Sequence, residues 1–248
     1  MREPGSSVEL PLPRRRLAEE TVVVLSLSLL GSAVFAILTL FEAPISGIRV
    51  VTVSQVPSAA RQFLGIAFGL APVWLVSYLV RRNGEGHEGI GLAWDRPRED
   101  ITRGLLLFAI VAVGGIAVYL GSVALGVNRF VLPVPPLGYW WTYPVLIARA
   151  AEAALIEEVV VAAYLITRLR QLGASDVGAI AASALLRGSY HLYQGWGGFA
   201  GNFAMGVLFG YFFTRTRRAW PLVIAHFLLD VGAGIGFIAF RHHLPGFS

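Results

Sequence analysis

Glu157 and Glu158 stand side by side in a stretch made otherwise of Leu, Ile, Val, Ala and Tyr. Ionisable or strongly polar residues then recur through apolar sequence: Arg149 and Glu152 before them, Arg187 and His191 after, then Asn202, His226 and Asp230. A charge at the centre of a bilayer costs roughly 2.5–3.5 kcal/mol on insertion scales. Four of them between residues 141 and 166 would cost on the order of 10 kcal/mol facing lipid. They are expected to face partners or water inside a helix bundle. Two close carboxylates in a low dielectric resist ionising together, and an arginine partner keeps one charged. Such a set supplies a general base and a proton carrier.

Spacing gives these side chains directions. Arg187 and His191 are four apart and share one helix face, as do His226 and Asp230. Glu157 and Glu158 are separated by about 100° around a helix. One is expected to meet a substrate water and the other a neighbouring arginine. Asn202, Gly206 and Gly210 repeat every four residues, a pattern that lets helix backbones approach. Asn202 is a supporting candidate, or else an interhelical hydrogen bond.

Other chemistries lack their residues. The chain has no cysteine, and all 20 basic residues are arginine. Thiolate ligands, a cysteine nucleophile, a Schiff-base lysine and a Ser–Lys dyad are excluded. Ser189 lies two residues from His191, about 200° away on a helix, and no nucleophile-elbow pattern surrounds it. His87, His242 and His243 fall outside the apolar runs and read as loop or tail histidines.

The elements that must position these groups are membrane helices. Of 248 residues 56% are hydrophobic and 14% charged, against about a quarter charged in soluble domains. Mean hydropathy is +0.66, which excludes a soluble two-domain enzyme. Apolar runs at 21–41, 62–80, 104–125, 141–166, 174–192, 199–213 and 219–240 predict an all-α polytopic membrane bundle of seven transmembrane helices, or eight if 44–60 adds a segment. Residues 1–20 are expected to form a polar tail, 21–240 the bundle, with the candidate site residues in its 141–240 part, and 241–248 a second tail. The tail, the 81–103 loop and the 167–173 and 214–218 turns carry most of the connecting arginines. With seven helices they fall on one side, which predicts a multi-pass protein of the cell membrane with a cytoplasmic amino terminus. The net charge of +5 follows from that arrangement, and no nucleic-acid partner is expected.

Glu157-Glu158 in one helix, His191 in the next, and His226-x-x-x-Asp230 two helices later resemble the CAAX prenyl protease family of intramembrane proteases, also called CPBP or Abi. The resemblance spans about residues 145–240, and Leu185 to His191 with Tyr193-Gln194-Gly195 is similar to a bacterial branch. It implies a membrane endopeptidase with its site inside the bundle, open toward the cytoplasmic leaflet. Carried over by position, Glu157 is the base that activates water and Glu158 positions it or binds a counter-charge. His191 shares that water, His226 stabilises the oxyanion, and Asp230 stands where the family usually has Asn. The chain departs from the pattern at Ala162, where the family has arginine, and at Arg187, where it has an aromatic. Arg187 is therefore expected to supply the missing charge, pairing with Glu158 or Glu152, and Asp230 to orient His226.

Glu157, His191 and His226 also match a zinc set of two histidines and a carboxylate. No His-Glu-x-x-His helix is present, and a metal-free glutamate mechanism is the preferred reading, with zinc the candidate metal otherwise. The expected partners are the bilayer and a membrane-anchored peptide or protein, prenylated in the family's name-giving case; oligomeric state is unspecified. The alternatives are a binding or self-immunity protein, or a proton-coupled transporter, using the same buried network. No inverted repeat supports a transporter.

Overall fold

The computed structural model describes residues 12–42 and 49–241. Helices α1 (Arg14–Ser26) and α2 (Leu29–Glu42) are bent by 53°. After β1 (Arg49–Val51) come α3 (Ala59–Gly69) and α4 (Ala71–Arg82), then α5 (Pro97–Ala124) and β2 (Phe130–Leu132). The carboxyl-terminal half holds α6 (Thr142–Leu155), α7 (Leu165–Gln171), α8 (Asp176–Tyr190), α9 (Trp196–Thr216) and α10 (Trp220–Phe240). Ser58 and Ser175 cap α3 and α8 through their hydroxyls, and Pro72, Pro97 and Pro221 begin α4, α5 and α10, where the missing N–H costs nothing.

Between α6 and α7 the chain stays helical but widens: Ile156–Tyr164 is π-helical, with helical backbone angles on both sides. Thr142 to Gln171 is thus one rod with a wide middle. β-Branched Val159, Val160 and Val161 crowd a tight helical turn, and Ser183 of α8 donates to the Val161 carbonyl at 2.7 Å.

This rod is the axis of the bundle. Every residue from Glu157 to Arg168 is buried, the pattern of a helix surrounded by others. On one side Val159, Val160 and Tyr164 pack with Val24, Val76, Leu79 and Val80. On the other, Ala162, Ala163 and Ile166 meet Leu107, Phe209, Phe213, Leu222 and Ala225. The outside is apolar: Phe35, Phe68, Trp74, Val113, Ile116 and Leu120 are exposed. Such a surface suits lipid rather than water.

Each of the seven apolar runs falls on helix, the first on the bent pair α1–α2. By length and composition, Ala59–Arg82, Pro97–Ala124 and Trp220–Phe240 could each cross a membrane, and the bent pair α1–α2 could make a fourth crossing. Seven or eight spans is a larger number than these helices supply. The central rod is interrupted by charges, α8 has 15 residues and so is only about 22 Å long, and α9 carries Asn202 and five glycines. In the proposed eighth segment, 49–51 is a strand, paired in parallel with 130–132, and helix begins at Ala59; residues 43–48 lie outside the described residues. Helix also begins at Arg14, inside the stretch read as a tail. His242 and His243 lie outside the described residues.

The connections sort into two ends. At one, Arg168 reaches Glu85 at 2.7 Å, Arg217 the Gly89 carbonyl at 2.8 Å, and Arg218 both Asp95 at 2.8 Å and Asp100 at 2.5 Å; Arg82 pairs with Glu20. At the other, Arg129 binds the Tyr193 and Thr39 carbonyls, beside the two short strands. The arginine-rich connections thus meet one another, as their alternation along the sequence requires.

Candidate active site

Three elements converge on one arginine. Arg187, on the last turn of α8, is 2% exposed and lies against both glutamates of the π-helical segment. Its Nη2 is 3.0 Å from Glu157 Oε2 and bonds Glu158 Oε1 as well; its Nε is 3.3 Å from Glu157 Oε2 and its Nη1 3.5 Å from Glu158 Oε2. The guanidinium also stacks over Phe209 of α9, 5.6 Å from the ring centre. The two glutamates therefore share a counter-charge, although α-helical geometry predicts that they point to different partners. The wider π turn narrows the angle between successive residues, and the arginine fork spans what remains.

His226 arrives from the second turn of α10. Its Nδ1 is 2.7 Å from Glu158 Oε1, and its Nε2 is 3.6 Å from Asp230 Oδ2. Glu158, rather than Asp230, is the carboxylate that hydrogen-bonds and orients this ring. Asp230 lies alongside, beyond hydrogen-bonding distance, with its side chain 41% exposed.

His191 caps the end of α8, and its Nε2 faces Glu157 Oε2 at 3.6 Å without a hydrogen-bond partner. Gln194 Nε2 meets its Nδ1 at 3.1 Å and donates to the Tyr193 hydroxyl at 2.9 Å. With the amide donating, the ring proton sits on Nε2 and points at Glu157.

Two of the supporting candidates lie elsewhere. Glu152 pairs with Arg149, three residues before it, at 2.8 Å, and presses on Gly69 of α3. Arg187 has no contact with it. Asn202 donates to the Gly198 carbonyl one turn back in its own helix at 2.9 Å, so it neither joins the cluster nor bridges helices. Gly206 does what its spacing predicts: a Cβ there would come within 2.9 Å of Ala184 Cα and 3.3 Å of Arg187 Cδ. Sequence reasoning missed Tyr190, whose hydroxyl donates to Glu157 Oε2 at 2.8 Å. Its spacing of three from Arg187 was the available signal.

Among the described residues, the group that could hold a metal is Glu157, Glu158 and His226, whose ligand atoms lie within 4.8 Å of one another. His191 stands outside that trio. Both carboxylates already hold the Arg187 guanidinium, and His226 Nδ1 already holds Glu158. The donors are occupied by a resident cation and by each other, so they fit a divalent ion poorly.

Residues 139–232 match the family described as Type II CAAX prenyl endopeptidase Rce1-like. That stretch, under half of the chain, is similar to the CAAX protease (CPBP) family. No curated protein and no solved structure matches the chain. The matched stretch begins before α6 and ends inside α10, and it contains Glu157, Glu158, Arg187, Tyr190, His191, His226 and Asp230. Helices α1 to α5 lie outside it and wrap its central rod. The family implies peptidase activity in a membrane protein.

Proposed function

We propose that the chain is an intramembrane endopeptidase that hydrolyses a peptide bond of a membrane-anchored protein or peptide, with a glutamate-activated water. The observation that carries this reading is the Glu157–Arg187–Glu158–His226 cluster at the centre of a bundle whose family is proteolytic. Glu157 is the general base: it takes a proton from water as the oxygen attacks the scissile carbonyl carbon. It then returns that proton to the departing amine. Arg187 is the counter-charge that the two neighbouring carboxylates share, a task water would perform at a surface. Glu158 holds His226 through Nδ1–H, and in the doubly protonated ring Nε2–H donates to the oxygen that becomes negative. His191 turns its Nε2–H toward Glu157 Oε2, on the buried side of the base. Asp230 is an accessory group beside His226.

No metal takes part in this mechanism, since Arg187 supplies the positive charge a metal would bring. A prenylated segment is one substrate class, approaching through the lipid side of the bundle. The arginine-rich end, with the start of α1, faces the cytoplasm by the charge rule. Mass spectrometry of membrane-anchored peptides, with and without a prenyl group, checks the reaction. It should detect one new pair of fragments that persists in the presence of a strong chelator. Fragments that vanish with chelation and return with stoichiometric zinc would overturn the metal-free mechanism. The absence of fragments across both peptide sets would overturn the endopeptidase reading.

A further inference from the structure

Tyr190 has no part in the reaction as drawn above, yet it is 4% exposed and bonded to the proposed base. We propose that Tyr190 is a positioning residue that pins one oxygen of Glu157 so that the other faces the opening of the cluster. The proposal rests on the endopeptidase reading and deepens it by dividing the work between two oxygens.

The bonds to Glu157 all fall on Oε2. The Tyr190 hydroxyl donates at 2.8 Å, Arg187 Nη2 at 3.0 Å and Arg187 Nε at 3.3 Å, while His191 Nε2 stands 3.6 Å away. Among the described residues no hydrogen bond reaches Oε1, and Oε1 is not among the fully buried atoms that lack a partner. It is therefore the accessible oxygen. A base must keep a lone pair for the proton it takes, and one carboxylate oxygen loaded with donors cannot do so.

Arg187 alone would not fix this division. Its guanidinium is shared with Glu158, and the terminal torsion of a glutamate is broad and roughly two-fold. Rotation would exchange the two oxygens. A short hydroxyl bond, from a ring tilted against His191 at 4.9 Å, holds Oε2 inward. In the reaction Oε1 receives the water proton and gives it to the amine; the Tyr190 proton stays on its own oxygen throughout.

The test compares the purified full chain with Tyr190→Phe and Glu157→Gln on a peptide that the wild type cleaves. Tyr190→Phe should lower kcat by about tenfold to a hundredfold, the range of a lost hydrogen bond to an ion. KM should stay within about twofold and the chain should stay folded, with a modest fall in thermal midpoint from the lost bond, since substrate contacts and packing are kept. A kcat within about twofold of wild type, with Glu157→Gln inactive, would overturn the positioning role and leave the endopeptidase reading standing. A loss of kcat matched by loss of the folded state would make Tyr190 structural and also overturn it. Full activity in Glu157→Gln would overturn both.

Discussion

At the scale of residues, the account depends on one buried cation serving two buried anions. Removing one partner of such a set leaves an uncompensated charge, which costs about 3–5 kcal/mol. Arg187→Ala should therefore lower stability by that order and abolish cleavage together. Chemical unfolding in detergent, alongside the peptide assay, checks it. Arg187→Lys should rescue little, because a lysine ammonium is a point charge and cannot reach along both carboxylates as the fork does. An Arg187→Lys enzyme with wild-type rate and stability would contradict the shared-cation geometry. The sequence made the membership of this cluster legible: ionisable residues in apolar runs are costly, so Glu157, Glu158, Arg187, His191 and His226 stood out. It did not show who pairs with whom. Spacing sets the face a side chain occupies on its own helix, but contacts such as Glu158 with His226 at 2.7 Å depend on how helices are placed against each other. Tyr190 escaped because a tyrosine carries no burial cost that marks it out.

Helices and their contacts explain why the cluster has this shape. The π-helical stretch turns Glu157 and Glu158 toward a common partner, and Ser183 holds its Val161 carbonyl. Ser183→Ala should cost about 1 kcal/mol, up to about 3 if that carbonyl is left unpaired, and should reduce cleavage more than stability. Gly206 sets the distance between α9 and α8 at the level of Arg187. A Gly206→Leu chain has to push α8 away, at about 1–3 kcal/mol for overpacking, and should lose activity through displaced Arg187. Unfolding midpoints and cleavage rates of both variants read these effects directly. The four-residue repeat of Asn202, Gly206 and Gly210 announced the glycines correctly and Asn202 incorrectly. Small residues act by absence of bulk, which position alone decides, while an amide has several places to donate and found the nearest carbonyl. Nothing in a list of residue types marks a π turn, so the expected 100° between the glutamates was the natural reading.

At the scale of the whole molecule, the stretch similar to CAAX proteases is wrapped by amino-terminal helices and latched at its arginine-rich end. Arg218 clamps Asp95 and the fully buried Asp100, and this holds the 91–100 connection against the α9–α10 turn. The Arg218 guanidinium keeps the Asp95 carboxyl below its ordinary value of 3.8. A carboxylate with a lowered folded value contributes fully above its unfolded value and loses that contribution as pH falls through the folded one. Arg218→Gln should therefore flatten the fall in unfolding midpoint between about pH 5 and pH 3, as well as lowering the midpoint at neutral pH. The largely helical character of a membrane protein was legible from composition and the apolar runs, because bilayer thickness dictates their length. The number of crossings was not: α8 is short and the central rod is interrupted by charges. The most direct test of the central claim is cleavage of a membrane-anchored peptide library by the purified chain, beside folded Glu157→Gln and His226→Ala variants. The account predicts defined fragments from the wild type and none from either variant. Fragments of the same kind and rate from Glu157→Gln would contradict it.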